Sequence, residues 1–187
     1  MTTPHDQSQY QVRFDWGPAG AEAVGSDADV VVLVDVLAAP EPENGSGRSA
    51  LLDISAWPDR PSIVAGSLRN RTAVADWVLA RQAEKGDRFA VAVIAAGEAR
   101  TDGSIRFAVE DHVAAGAIID ALATVGIDYC SPEAAAACAS FTGLRNALAH
   151  LVSASASGKA LPGSDAARVT EFASQVDASA DVSVLKE

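Results

Sequence analysis

The fold is decided by residues 89–122, which read FAVAVIAAGEARTDGSIRFAVEDHVAAGAIIDAL. Residues 89–95 form an apolar, valine-rich run and predict a buried strand. A polar loop follows, and then a helix opens on two adjacent carboxylates, Glu110 and Asp111, and continues to about residue 123. In parallel α/β sheets, ligands bind where the carboxyl ends of strands meet helix N-termini. The stretch therefore predicts an α/β fold and also the edge of the sheet at which a site would lie.

The same alternation of strands and helices extends in both directions along the chain. Residues 29–37, DVVVLVDVL, form a β-branched run typical of a strand buried on both faces. Further strands are predicted at 11–15, 61–65 and in VSVL near residue 184, and further helices at 70–84, 131–152 and 165–176. The pattern predicts one α/β domain, with a mainly parallel sheet flanked by helices.

Two segments of the chain are predicted to lack regular structure. Residues 1–9 predict a disordered tail, so the domain is expected to span residues 10–187. Within it, residues 38–49 read AAPEPENGSGRS and predict a flexible segment, because this composition buries little apolar surface. Residues 51–55 follow as a weak strand.

Composition and charge exclude several classes of partner. The chain has 187 residues, with 14 basic and 25 acidic side chains and a formal net charge of −11. This charge opposes nonspecific binding to nucleic acid or to an anionic membrane surface. Neither a signal peptide nor a membrane-spanning run is recognisable, so we expect a cytoplasmic protein with no nucleic-acid or membrane partner. An anionic substrate would need local positive charge from a metal or an arginine.

Common nucleotide and hydrolase motifs are missing from the sequence. We find no GxGxxG or GxxxxGK[ST] pattern for a bound nucleotide, and no HExxH or GxSxG pattern for hydrolysis. The strand that ends in Asp35 also lacks the second aspartate of the haloacid-dehalogenase DxD motif. Neither a nucleotide-binding function nor one of these hydrolytic mechanisms is therefore indicated.

Three carboxylates stand at predicted strand or helix ends. Asp35 closes an apolar strand, where it needs a metal, a cation or strong hydrogen-bond donors, or else a structural partner such as a helix N-terminus. Glu110 and Asp111 could bind a divalent cation or act as an acid–base pair. Alternatively, they are ordinary first-turn acids stabilised by the helix dipole. His112, which follows them, could donate a proton or lie partly exposed on the helix.

The turn at residues 66–70, GSLRN, joins a predicted strand to a predicted helix. Its backbone N–H groups could cradle an anion, with the Ser67 hydroxyl and the Arg69 guanidinium as further donors. The alternative is an ordinary capped turn, in which Asn70 caps the following helix.

Three blocks of the chain, in order, resemble the 2-phosphosulfolactate phosphatase family. They are GSLRNRTAVADWVL at 66–79, VAVIAAGEARTDGSIRFAVEDHVAAGAIIDAL at 91–122, and SASGKALPGSDAARVTEFASQVDASADVSVL at 155–185. Upstream, FDWGPAGAEAV at 14–24 and DVVVLVDVL at 29–37 look like the N-terminal block of the same family.

The resemblance implies a Mg²⁺-dependent acid phosphatase of α/β fold. The family reaction hydrolyses 2-phospho-3-sulfolactate, a small phosphorylated acid, to sulfolactate in coenzyme M biosynthesis. The polar residues carried over by matching position are Asp35, Ser67, Asn70, Glu98, Glu110 and Asp111, with Gly66, Gly97 and Gly116 as backbone positions. Within this set we assign catalysis and Mg²⁺ binding to Asp35, Glu110 and Asp111. Substrate binding falls to Ser67, Asn70 and Glu98, with Arg69 added by its charge.

The chain departs from the family pattern after Leu37. The Ser/Thr-rich helix start of the family and its later strand and turn with a TTNG- or SPNG-type motif are missing there. A second hypothesis is therefore a catalytically degenerate member that binds a ligand or a partner without turnover. The shortening could also leave a sheet edge to be covered in a homo-oligomer. A sulfonate site would need a further cation, for which Arg100 and Arg106 are candidates.

Overall fold

A computed structural model describes residues 4–37 and 61–187. The strands within these ranges are β1 (Val12–Trp16), β2 (Val30–Val34), β3 (Ser62–Gly66), β4 (Val91–Ala95), β5 (Glu98–Ala99), β6 (Ile105–Arg106) and β7 (Val184–Lys186). The α-helices are α1 (Gly17–Gly25), α2 (Arg71–Lys85), α3 (Val109–Thr124), α4 (Pro132–Leu144), α5 (Leu148–Ala154), α6 (Ala156–Ala160) and α7 (Ala166–Ala173). The strands and helices alternate through most of this region, as the sequence predicts.

The main sheet has the strand order β1-β4-β2-β3-β7. The pairs β1–β4, β4–β2 and β2–β3 are parallel, whereas β7 runs antiparallel to β3. A separate antiparallel pair, β5–β6, forms a hairpin between β4 and α3. The predicted α/β fold with a mainly parallel sheet is confirmed.

The sheet is buried on both faces, which explains the continuous apolar runs of its central strands. In β2, Val32 and Val34 face a core shared with α2, α3 and α4, whereas Val31 and Leu33 face a smaller core shared with α1. Side chains of a strand alternate between the two faces, so both faces of β2 must be apolar. This burial holds the carboxyl ends of the strands at one edge.

Helices α3 and α4 approach each other closely at Gly116. A Cβ atom at this position would lie 2.0 Å from the Ala137 carbonyl oxygen. Only glycine therefore fits there, and the close contact fixes α3 over the sheet. The first turn of α3, with Glu110 and Asp111, is placed at the carboxyl edge of the strands.

The N-terminal segment differs from the prediction. Residues 4–9 were expected to belong to a disordered tail, but Pro4–Asp6 form a 3-10 helix and Gln7 is buried. The Gln7 side chain donates to the Phe14 carbonyl at 3.0 Å and accepts from the Phe14 N–H at 3.1 Å. These bonds satisfy the outer edge of β1 and hold the segment in place. The predicted flexible segment 38–49 and the weak strand 51–55 lie outside the described residues.

The long helix predicted over residues 131–152 is interrupted. Helix α4 ends at Leu144, a 3-10 turn spans Arg145–Ala147, and α5 begins at Leu148. Gly143 and Asn146 are weak helix formers at this break. The turn allows α5 to pack against α3 and α7. None of the helices in the described part of the chain is long and apolar enough to cross a bilayer.

Candidate functional site

A pocket of about 330 Å³ lies at the carboxyl ends of β2 and β3. Its lining residues come from three segments that are distant in the sequence, and they are Asp35, Ala65, Gly66, Ser67, Arg69, Asn70, Ser179, Asp181 and Ser183. The pocket therefore lies at the edge of the sheet that the sequence indicated. It also brings together four of the predicted site residues.

The turn after β3 is held by its own side chains. The Ser67 N–H and hydroxyl both donate to Asn70 Oδ1, at 2.9 and 3.0 Å, and the Arg69 N–H donates to Ser67 Oγ at 3.2 Å. Asn70 Nδ2 donates to the carbonyls of Ala65 and Asp181, each at 3.1 Å. The turn is therefore capped, as the alternative predicted, but the cap is Ser67, and the Asn70 side chain makes no capping hydrogen bond to α2. Ser67 and Asn70 shape the pocket, while their polar groups are engaged with one another.

Arg69 carries the positive charge among the described residues that line the pocket. Its guanidinium carbon lies 3.5 Å from the centre of the Phe172 ring. Nη1 donates to the Phe172 carbonyl at 3.1 Å and to the Gln175 side chain. The guanidinium is therefore oriented by α7 and the residues that follow it, and it sits beside the pocket as a fixed cation.

Asp35 follows β2 and is half-buried at the pocket wall. Burial first, and the negative charge of Glu110 second, raise the pKa of Asp35 from its ordinary 3.8 to about 6. The charge of Glu110 thus adds to the cost of ionising Asp35. A cation bound at Asp35 would offset this cost.

Glu110, in the first turn of α3, is buried with 2% of its surface exposed. Its Oε2 atom is buried and has no hydrogen-bond partner in the structure. An unpaired buried carboxylate oxygen is strongly unfavourable unless a cation or a proton accompanies it. Glu110 lies behind Asp35 and is not among the residues that line the pocket, and the protein itself leaves this carboxylate oxygen without a partner.

Asp111, the next residue, is bound by backbone groups on both of its oxygens. Oδ1 accepts from the Val36 N–H at 2.8 Å and Oδ2 accepts from the Gly97 N–H at 2.9 Å. Burial, and then the charges of Asp35 and Glu110, raise the pKa of Asp111, while the two N–H groups act in the opposite direction. Asp111 therefore has structural partners that Glu110 lacks.

Glu98 and the two additional arginines lie apart from the pocket. Glu98 is exposed in β5, where its Oε2 atom is 3.9 Å from Arg106 Nη1 across the hairpin. Arg100 is also exposed and approaches the Ser104 hydroxyl at 3.3 Å. The structure does not bring these predicted substrate-binding groups to the residues that line the pocket.

His112 is half-buried in an aromatic cluster at the end of β1. Its ring stacks on Trp16 at 5.9 Å and lies 5.2 Å from Phe107, and Nε2 lies 3.1 Å from Ser140 Oγ. Burial lowers the pKa of His112, so its ring is neutral near pH 7. His112 is thus a partly exposed residue of α3, as one of the two predictions had it, and its ring packs against Trp16 and Phe107.

The C-terminal segment forms a wall of the pocket that the sequence reasoning missed. The N–H of Ser179 donates to the Arg69 carbonyl at 2.9 Å, and the Ala65 N–H donates to the Ser183 carbonyl at 2.9 Å. Ser179 and Asp181 consequently line the same pocket as Asp35. A possible signal was the polar run DASADVS at residues 177–183, ahead of the last strand.

The described carboxylates near the pocket do not form a cation site of three protein ligands. Among residues 4–37 and 61–187, no group of three or more His, Cys, Asp or Glu side chains is placed to hold one metal ion. The predicted trio is thus not brought together as three ligands. Mg²⁺, however, usually takes only one or two carboxylates together with water and substrate oxygens. The unpartnered Glu110 oxygen and the neighbouring Asp35 fit that smaller requirement.

Comparison with known proteins adds one match. A family model described as 2-phosphosulpholactate phosphatase matches residues 46–187. No curated protein matches the chain. The match covers the turn after β3, the first turn of α3 and the C-terminal wall of the pocket. It does not reach residues 14–37, whose likeness to the N-terminal block stays a prediction.

Proposed function

The chain belongs to the 2-phosphosulpholactate phosphatase family, and from that premise we propose that it uses Mg²⁺ to hydrolyse the phosphoester of a small phosphorylated acid in the pocket at the carboxyl ends of β2 and β3. Membership places it among phosphoric monoester hydrolases. The proposed substrate is 2-phospho-3-sulfolactate or an acid of similar size and charge. Its product, sulfolactate, would then enter coenzyme M biosynthesis.

The observation that carries the proposal is the unpartnered oxygen of buried Glu110 beside Asp35. Glu110 disfavours the charged form of Asp35, and two carboxylates so placed supply the oxygen ligands that a hard divalent cation requires. Glu110 and Asp35 would hold the ion. When bound, Mg²⁺ would offset the charge of the phosphoryl oxygens, which a protein with a net charge of −11 otherwise repels.

The remaining groups of the pocket orient the substrate. Arg69 offers a fixed guanidinium for an anionic group of the phosphorylated acid, because cations of this shape bind carboxylate, sulfonate or phosphate oxygens. In hydrolysis, the oxygen of water bonds to phosphorus, the bond from phosphorus to the organic oxygen breaks, and that oxygen leaves with a proton. Asp35 lines the pocket and is the proposed acceptor for the proton of the attacking water.

The pocket suits a small substrate. Its volume of about 330 Å³ lies at the lower end of the range for ligand-binding clefts. A phosphorylated acid of three or four carbons has a size that this volume accommodates. Size and charge therefore both support the proposed substrate class.

A second candidate function is ligand binding without turnover. One observation favours it: the polar groups of Ser67 and Asn70 are engaged with each other and are not presented to a phosphate. A degenerate member would keep the cation site and the pocket but release no phosphate.

The test is phosphate release from 2-phospho-3-sulfolactate and from p-nitrophenyl phosphate, with Mg²⁺ or with EDTA. We expect release that requires Mg²⁺ and that is lost in Asp35→Asn and Glu110→Gln. Asp76→Asn is a matched control, because Asp76 is an exposed carboxylate on α2 away from the pocket lining. The absence of any Mg²⁺-dependent release above the blank would contradict the proposal. Binding of Mg²⁺ without release would favour the second candidate.

A further inference from the structure

The Asp111 carboxylate joins the ends of two neighbouring strands. One oxygen accepts from the Val36 N–H, two residues past β2, and the other accepts from the Gly97 N–H, two residues past β4. Only 3% of the Asp111 surface is exposed. Strands β2 and β4 are direct neighbours in the sheet. A single buried side chain therefore spans both ends from the first turn of α3.

These two N–H groups lie where the strand pairing stops. The last backbone bond across this pair of strands runs from the Ala96 N–H to the Val34 carbonyl at 2.8 Å. Beyond this bond the two segments separate: the segment after β2 continues to Leu37, and the segment after β4 enters the β5–β6 hairpin. Gly97 turns with φ of +66°, and a Cβ there would lie 2.5 Å from Ile105 Cγ2. The Asp111 carboxylate therefore accepts the Val36 and Gly97 N–H groups, which lie beyond the last bond between the two strands.

The residue fixed most directly is Asp35. It is bonded to Val36, so the anchor at the Val36 N–H limits the backbone freedom of Asp35 at the pocket wall. Holding a reacting or ligating group in one geometry is a large part of what an enzyme site does, and a displacement of about 1 Å can lower the rate about a hundredfold. Asp111 is thus placed to act through Asp35 without entering the pocket lining.

Glu110 and Asp111 differ in the hydrogen bonds that their carboxylate oxygens accept. Adjacent residues of a helix point about 100° apart, so the two side chains cannot serve the same point. Asp111 has a backbone donor on each oxygen, whereas Glu110 Oε2 is buried without a donor. A cation would gain a ligand at Glu110 without displacing any hydrogen bond, but at Asp111 it would compete with two.

We propose that Asp111 is a positioning residue that fixes Asp35 by binding the ends of β2 and β4, and that it is not a ligand of the cation. This role rests on the proposed function, in which Glu110 and Asp35 bind the cation. Asp111 then fixes the ends of the two strands that carry the site. Sequence reasoning gave the same role to both members of the pair.

The test compares Asp111→Asn with Glu110→Gln in the full chain. The readouts are the melting temperature in EDTA, its rise on adding Mg²⁺, and kcat and KM for phosphate release. For Asp111→Asn we expect a lower melting temperature in EDTA, a retained rise with Mg²⁺, and a kcat lowered about tenfold or more with KM little changed. Glu110→Gln should melt no lower than wild type in EDTA and should lose the rise with Mg²⁺. Loss of the rise in both variants alike would overturn the proposal.

Hydrogen exchange of the wild-type protein gives a second measurement if Asp111→Asn does not fold. The amides of Val36 and Gly97 should be protected in EDTA and should stay protected when Mg²⁺ is added. Protection that disappears with Mg²⁺ would show that the ion takes Asp111 from them, and absence of protection in EDTA would show that the anchor does not exist. If the wild type shows neither a Mg²⁺ response nor phosphate release, the proposed function fails, while protection of both amides still supports the positioning role.

Discussion

Replacing Asp35 with asparagine should stabilise the folded protein at neutral pH. Burial, and then Glu110, raise the pKa of Asp35 from 3.8 to about 6. At about 1.4 kcal/mol for each pKa unit, this difference corresponds to about 3 kcal/mol of lost stability once the carboxylate is ionised. Because Asp35 keeps part of its surface in water, solvent screening reduces the expected gain for Asp35→Asn to about 1–3 kcal/mol.

The sign of the effect depends on pH. Below the unfolded-state pKa of 3.8, Asp35 is protonated in both states and carries no penalty. As pH rises from 3.8 to about 6, the unfolded state loses its proton first, so the wild type loses stability across this window. Above about 6 the loss is complete and constant. Asparagine does not ionise, so the variant should gain relative to wild type over the same window.

The assay is urea unfolding in EDTA, followed by circular dichroism between pH 3.5 and 8. EDTA matters, because a bound cation would stabilise the wild-type carboxylate and hide the effect. Asp76→Asn, which removes an exposed charge of the same kind on α2, is the matched control. A variant that is no more stable than wild type at pH 8, or a difference that does not change between pH 3.5 and 8, would refute the reasoning.

The remaining predictions concern packing and the pocket. Gly116→Ala should lower the free energy of unfolding by about 3 kcal/mol, because its Cβ would meet the Ala137 carbonyl at 2.0 Å. In contrast, Gly143→Ala has open space in α4 and should raise the free energy of unfolding by about 0.5–1 kcal/mol. Equal changes for the two variants in urea unfolding would contradict the close contact at Gly116. Asn70→Ala removes four hydrogen bonds of the turn after β3 and should cost about 2–4 kcal/mol and speed proteolysis of the C-terminal segment. Glu98→Gln should change stability by less than about 0.5 kcal/mol and leave phosphate release unaltered; a large rise in KM would instead place Glu98 at the substrate.

The sheet was predictable from the sequence because its signal is local. Continuous β-branched runs such as VVVLV at residues 30–34 can only be buried on both faces, and the structure places them at the centre of the sheet. The site edge was predictable for the same reason, since strand ends and helix starts can be found from composition and capping. The positions of Asp35 and of the turn after β3 at this edge were predicted in this way.

What the sequence could not show depends on contacts between distant segments. Glu110 and Asp111 are both first-turn acids, and nothing local distinguishes the one whose oxygen lacks a partner from the one bound to Val36 and Gly97. The wall formed by Ser179 and Asp181 depends on where a polar segment runs after α7. Glu98 shows the opposite case, because a residue carried over by resemblance lies on an exposed hairpin.

The strand order also has a consequence for how the chain reaches its fold. Strand β4 lies between β1 and β2, so Val91 is the neighbour of both Val12 and Val30. Neither early strand can complete its pairing until β4 is available, and such distant contacts make folding slow. Until then, VVVLV is an uncharged β-branched segment with unsatisfied edges, the kind of segment from which intermolecular aggregation starts. We expect refolding yield to fall with protein concentration, and mutations that slow the docking of β4 to reduce soluble expression more than they reduce final stability.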